Sequence, residues 1–184
     1  QEAAAYPART LRIVVPFPPG GVTDRLARTV AQKLQEAWGQ PAVVDNRPGA
    51  SGMIAAEHVA RSAPDGYTLM MGHIGTHAIN ASLFRKLPYD PVKDFAPVSL
   101  LVTVPNVLLV HPSVPAGSVA ELVALARAKP GTLNFASPGS GTSGHMSAEL
   151  FKSLAGVDIV HVPYKGPGPA LQDLVAGQVN MLFD

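Results

Sequence analysis

Short apolar runs alternate with amphipathic stretches of helical period along most of this chain. Residues 11–16 predict a first strand. Residues 23–38 follow as a helix with Leu26, Val30 and Leu34 on one face, stopped by Gly39 and Pro41. Ala42-Val43-Val44 predicts a short second strand, and Ser51 is the expected cap of a helix running to about Ala63. Tyr67 to Gly72 predicts a third strand, and Ala78 to Arg85 a short helix. Residues 98–104 and 106–110 are apolar runs of β type separated by Pro105. Ser118-Val119-Ala120-Glu121 has the spacing of a capping box and predicts a helix to about Lys129. Strand 132–136, helix 143–155, strand 158–162, helix 169–177 and strand 179–183 complete the pattern. Strand-helix alternation of this kind predicts an α/β fold with mostly parallel sheets. We place the boundary between two lobes at 102/103, giving 1–102 and 103–184, with a hinge near Leu101–Val104.

The chemistry lies in the loops that join strand to helix. Pro16-Phe17-Pro18-Pro19-Gly20-Gly21 follows the first strand, and Ser137-Pro138-Gly139-Ser140-Gly141-Thr142-Ser143-Gly144-His145 follows the strand at 132–136. Helix N-termini carry unpaired N–H groups and partial positive charge, so such loops suit an anion. They hold donors and little nucleophilic machinery, which points to a binder before an enzyme. Glycines at 20 and 21 also suit a plain βα turn with Thr23 or Asp24 as cap. Asp45 lies where a ribose-binding acid stands in dinucleotide folds, but the G-x-G-x-x-G spacing is absent.

Composition narrows the classes. Of 184 residues, 47% are hydrophobic, ample for a core, and the net charge of +1 gives no electrostatic case for nucleic acid. Cysteine is absent, which removes disulfides and thiolate metal sites and fits an extracytoplasmic protein. No apolar run has the length of a membrane span. The start, Gln1-Glu2-Ala3, has the look of a mature N-terminus left by signal-peptide cleavage. The strand-type ending at Asp184, with no polar tail, suggests that the natural chain continues.

Other motifs fail on detail. Gly139 to Gly144 has phosphate-loop spacing, but His145-Met146 replaces the required Lys-Ser/Thr. Ser140 and Ser143 do not fit G-x-S-x-G. His73 and His77 stand at i, i+4, yet Gly75 lies between them and no Glu accompanies them, so no metal is expected. Lys165 can attract an anion, but the pattern favours a plain solvated lysine.

The motifs taken together resemble the Bug family, the TctC-like periplasmic solute-binding proteins of tripartite tricarboxylate transporters. The matching segments include Ile13-Val14-Val15-Pro16-Phe17-Pro18-Pro19-Gly20-Gly21 with Asp24, and Val44-Asp45-Asn46-Arg47-Pro48-Gly49-Ala50. They continue with Ala63-Pro64-Asp65-Gly66-Tyr67, Leu87-Pro88-Tyr89-Asp90-Pro91, Ser137-Pro138-Gly139-Ser140-Gly141 with His145, and Val162-Pro163-Tyr164-Lys165-Gly166. The resemblance spans about residues 6–184. It implies a type II-like periplasmic binding protein whose two α/β lobes close on a small carboxylate.

By motif, the resemblance implies ligand contacts from Phe17, Gly20, Gly21 and Asp24; from Gly75, Thr76 and Asn80; from Ser137, Gly139, Ser140, Thr142 and His145; and from Asp184. It implies no cofactor and no catalysis. The expected partners are a small organic acid and the membrane subunits of the transporter, with the receptor a periplasmic monomer. Specificity is expected at His73, Ile74, His77 and Thr142. Two other readings remain at this stage. One is a small-molecule hydrolase or transferase using His145 with Ser140 or Ser143, and the other a sensory protein on the same scaffold.

Overall fold

A computed structural model describes residues 6–184. These divide between Pro97 and Val98 into two compact units.

The first unit is a parallel sheet of order β2-β1-β3, from β1 (Leu11–Val15), β2 (Ala42–Asn46) and β3 (Thr68–Met70). Alternation along β1 sends Ile13 and Val15 to one face, where they bury against Ala27 and Ala31 of α1 (Val22–Trp38). α2 (Met53–Ala60) packs on β3 and β1 with Ala55 and Ala56 fully buried. Gly39 ends α1 in a left-handed conformation, its N–H bonded to the Gln35 carbonyl.

The second unit is a sheet of order β4-β7-β5-β6, from β4 (Leu108–Val110), β5 (Asn134–Ser137), β6 (Val160–Pro163) and β7 (Met181–Phe183). Only the β4–β7 pair is antiparallel. Phe135 and Met181 pack on one face with Leu122 and Ala126 of α4 (Val119–Ala128) and Ala148 of α5 (Ser143–Ala155). Ala136 and Leu182 pack on the other with Ala170 and Leu174 of α6 (Pro167–Val175).

The two units repeat one topology. β1-α1-β2-α2-β3 and β5-α5-β6-α6-β7 each place their first strand in the middle, with the second strand on one side and the third on the other. No sequence repeat announces this. In such sheets the crevice lies beyond the carboxyl ends of the strands where the connections diverge, next to β1 and next to β5.

Three local expectations are corrected. Residues 98–104 form no strand, and Val98, Leu100, Val102 and Val104 are exposed, because none of the described residues offers that run a backbone ladder. Ser51 does not cap a helix. It has φ of 54° within a short 3-10 turn, and α2 starts after Gly52 with no side-chain cap. At α4 the Ser118 hydroxyl accepts the Glu121 N–H, but the Glu121 carboxylate reaches back to the Gly117 N–H rather than to that of Ser118. Between β3 and the short helix α3 (Asn80–Leu83), residues 75–79 form a π-type turn.

Candidate functional site

At the carboxyl edge of the first sheet, three segments meet around Pro16, Gly52, His73 and Thr76. A Cβ built on Gly52 would lie 2.6 Å from Thr76 Cγ2, 3.2 Å from Pro16 Cβ and 3.5 Å from His73 Nε2. The turn that carries Gly52 has four successive positive φ angles, from Gly49 through Ala50 and Ser51. For the two non-glycine residues this is strained backbone, held by its surroundings. One support is Asn80, whose Nδ2 donates to the Ser51 carbonyl at 3.0 Å and to the Tyr89 hydroxyl at 3.2 Å; Tyr89 in turn donates to the Thr76 carbonyl at 2.7 Å.

Thr76 and Asn80 are fully buried, and Gly75 is buried beside them. The Thr76 hydroxyl bonds the His73 carbonyl at 3.0 Å and His77 Nδ1 at 2.9 Å. His73 faces Phe17 with ring centroids 4.9 Å apart and accepts the Gly75 N–H on Nδ1. Burial pushes its pKa down to about 4, so the ring is neutral at pH 7. With Nδ1 accepting, the neutral ring carries its proton on Nε2. That Nε2 and Asn80 Oδ1 are buried without a partner among the described residues, one donor and one acceptor.

The Asp24 side chain is engaged within the first unit. Its buried carboxylate takes two hydrogen bonds from Arg28 at 3.0 Å, one from the Gly20 N–H at 2.9 Å and one from Asn46 Nδ2 at 2.9 Å. Asn46 also donates to the Phe17 carbonyl at 3.0 Å, so the pair tethers the loop from Phe17 to Gly21 to β2. The Arg28 hydrogen bonds, against the opposing effect of burial, hold the Asp24 pKa down to about 2. A carboxyl with a depressed pKa stabilises the fold above its unfolded pKa near 3.8 and loses that contribution as pH falls through about 2. Asp24→Asn is therefore expected to lower stability by about 2 kcal/mol at pH 7. Its deficit against the parent should vanish between about pH 4 and 2 in denaturant titrations, because the parent loses the same charge there.

In the second unit, the loop after β5 is held from within. The Thr142 hydroxyl donates to the Gly139 carbonyl at 2.7 Å and caps α5 by accepting the His145 N–H at 3.4 Å. The Ser137 hydroxyl, fully buried, accepts the Gly139 N–H at 3.3 Å and meets His161 Nε2 at 2.6 Å. His145 Nδ1 accepts the Gly141 N–H at 3.1 Å. The N–H groups of Ser140, Ser143 and Gly144, and the Ser140 hydroxyl, make no hydrogen bond among the described residues. They form the free donor set at the start of α5. Asp184 follows β7 with its side chain exposed, and its backbone exchanges both hydrogen bonds with Val107.

Neither Ser140 nor Ser143 meets His145. The Ser143 hydroxyl donates to Asn106 Oδ1, and His145 Nε2 lies 3.9 Å from Glu149. The nucleophile pair required by the hydrolase alternative is not formed. Among the described residues no three His, Asp or Glu side chains cluster as metal ligands.

The model of the tripartite tricarboxylate transporter family receptor, TctC, matches residues 26–184. The chain belongs to this receptor family. Among curated relatives, the TctC-family chain is 44% identical over 178 residues to protein BugT of Bordetella pertussis, covering 96% of this chain and 55% of BugT. It is 42% identical over 184 residues to a Pseudomonas sp. (strain P51) protein, covering 100% of this chain and 54% of the relative. The chain thus spans about half the length of the curated relatives it matches. Among solved structures it is similar to R. palustris Rpa4515 with adipate, at 47% identity and a TM-score of 0.94, covering 98% of this chain and 60% of the other. It is also similar to MatC from Rhodopseudomonas palustris with bound malate, at 43% identity and a TM-score of 0.90, covering 97% and 61%. The α/β fold of this TctC-family chain is that of periplasmic binding proteins.

Sequence reasoning passed over several residues that shape these two edges in the TctC-family chain. Asn46, Tyr89 and His161 each tie a candidate loop to a neighbouring element. Their signal in the sequence was weak, since each lies outside the glycine- and serine-rich loops and acts over long sequence separations.

Proposed function

We propose that the full-length protein is a periplasmic receptor that captures a small organic acid and delivers it to the membrane subunits of a tripartite transporter. One observation carries the reading. The loop from Ser137 to Gly144 holds itself open by internal hydrogen bonds and leaves the N–H groups of Ser140, Ser143 and Gly144 free at a helix start. Preorganised N–H donors at the positive end of a helix suit a carboxylate and supply no nucleophile. Within the first unit, the carboxyl edge of the sheet separately presents Phe17 beside a neutral His73. Two similar structures hold dicarboxylic acids, adipate in one and malate in the other.

Gly20, Gly21, Ser137, Gly139 and Thr142 shape these loops in this reading, and Ser140 reaches the ligand. Thr76, Asn80 and Asp24 act behind the surface, as their burial and their hydrogen bonds support. His73 is the residue most suited to set specificity. Its neutral imidazole offers a single donor and no charge.

Calorimetry on the full-length protein tests the reading with adipate, malate, other dicarboxylates, tricarboxylates and amino acids. At least one is expected to bind with a Kd of roughly micromolar or tighter. A panel without any binder, on protein shown to be folded, would overturn it.

A further inference from the structure

Three aromatic rings stack in the second unit. Phe135 lies on His161 at 4.7 Å between centroids and 16° between planes, and His161 lies on His145 at 4.1 Å and 20°. Each histidine accounts for one bond of the donor loop. His145 Nδ1 receives the Gly141 N–H, and His161 Nε2 meets the Ser137 hydroxyl that in turn holds the Gly139 N–H.

The proton inventory follows from these partners. An N–H donor pointing at Nδ1 requires that nitrogen to be bare, so neutral His145 carries its proton on Nε2, on the side of Glu149. A second proton on His145 has only Nδ1 to go to, and there it would face the Gly141 N–H head on. The bond is then lost and the two donors repel. For His161, a Ser137 hydroxyl that accepts from Gly139 is free to donate its own proton to Nε2.

We propose that His145 is a positioning residue for the loop from Ser137 to Thr142, a latch that holds the Gly141 N–H only while its imidazole is neutral, so that protonation releases the loop. This goes beyond the ligand contact expected from the motif, because the ring nitrogen facing the loop is already engaged.

The charged surroundings fit a latch that stays shut at neutral pH. On α5 itself Glu149 favours the charged ring and Lys152 disfavours it; β6 contributes His161, stacked on the ring, and β5 contributes the uncharged Phe135. Burial dominates and lowers the His145 pKa from its usual 6.5, while burial together with His145 lowers that of His161 to about 4. A depressed histidine pKa means that the latched state is fully favoured above pH 6.5 and weakens as pH falls through the lowered value. Two rings at this spacing also resist carrying two charges at once.

The test is nitrogen-15 NMR of the full-length protein without ligand, so it is independent of whether any carboxylate binds. At pH 8, His145 is expected as the Nε2–H tautomer with Nδ1 bare; an Nδ1–H tautomer overturns the latch without any variant being made. As pH falls through the His145 titration, hydrogen-exchange protection of the Gly141 amide, corrected for intrinsic rate, should drop about tenfold. Protection that ignores the titration also overturns it. His145→Asn places an untitratable carbonyl oxygen near the Nδ1 position. It is expected to keep Gly141 protected across the range, whereas His145→Leu loses protection at every pH. A His145→Asn protein that still releases Gly141 in acid would assign the effect to His161 and overturn the role given to His145.

Discussion

Replacing Gly144 by alanine is expected to cost about 2–3 kcal/mol of stability, although alanine is the better helix former by about 1 kcal/mol. Gly144 is the second residue of α5, and a Cβ there would overlap the Phe183 carbonyl oxygen and press on Pro138 Cδ. That oxygen belongs to the backbone of β7, whose neighbouring residues pair with β4 and β5, so it has no side-chain freedom with which to yield. Either α5 lifts from the sheet or β7 bends. Lifting α5 would also move the Ser140, Ser143 and Gly144 N–H groups, so under the proposed function any carboxylate affinity of the full-length protein should fall along with stability. Gly168 provides the control. It is likewise the second residue of its helix, α6, but a Cβ there meets nothing within 4 Å. Gly168→Ala should leave stability unchanged or raise it slightly in the same denaturant titration. Equal behaviour of the two variants would show that the close approach of α5 to β7 does not constrain Gly144.

Gly52→Ala is the counterpart in the first unit, with an expected loss of about 3 kcal/mol from two separate causes. At φ of 81° an alanine pays about 1 kcal/mol in backbone strain. Its Cβ would also stand 2.6 Å from Thr76 Cγ2, on a side chain that is fully buried and pinned through its hydroxyl to His73 and His77. The two contributions can be separated. Gly39 is also left-handed, at φ of 68°, with open space around it, so Gly39→Ala should show the strain alone. Thr76→Ser removes Cγ2 and keeps the hydroxyl. Combined with Gly52→Ala, it should recover the part of the loss due to overlap, about 2 kcal/mol, as a coupling energy in a double-mutant cycle. Additive single effects would mean that the three segments do not meet at Gly52.

The repeated topology explains why the free donors gather where they do. In each unit the middle strand is the first of its βαβαβ motif, and its loop opens a helix at the carboxyl edge of the sheet. Both units leave helix-start N–H groups without partners at that edge among the described residues, and the first also engages its Gly20 N–H with Asp24. Asp24, at the start of α1, closes its own loop, and the corresponding part of α5 has no acid.

Regular elements were legible in the sequence because they are set by neighbours a few residues apart. The apolar run Leu11–Val15 and the spacing of Leu26, Val30 and Leu34 need no distant partner to predict a strand and a helix. The donor loops were legible for the same reason, since Gly, Ser and Thr next to a helix start are local signals. The run from Val98 to Val104 shows the limit. Its composition is that of a strand, yet strand formation depends on a partner ladder that composition cannot supply.

By itself, then, the sequence determined an α/β chain with donor-rich loops at strand ends and the motifs of a receptor family. The tertiary structure decided which donors remain free, that Asp24 accepts from Asn46 of β2, and that His145 stacks on a histidine that stands 16 residues further along the chain. Those outcomes depend on contacts between elements, where a hydrogen-bonding group is either satisfied or left open by a residue far away in sequence.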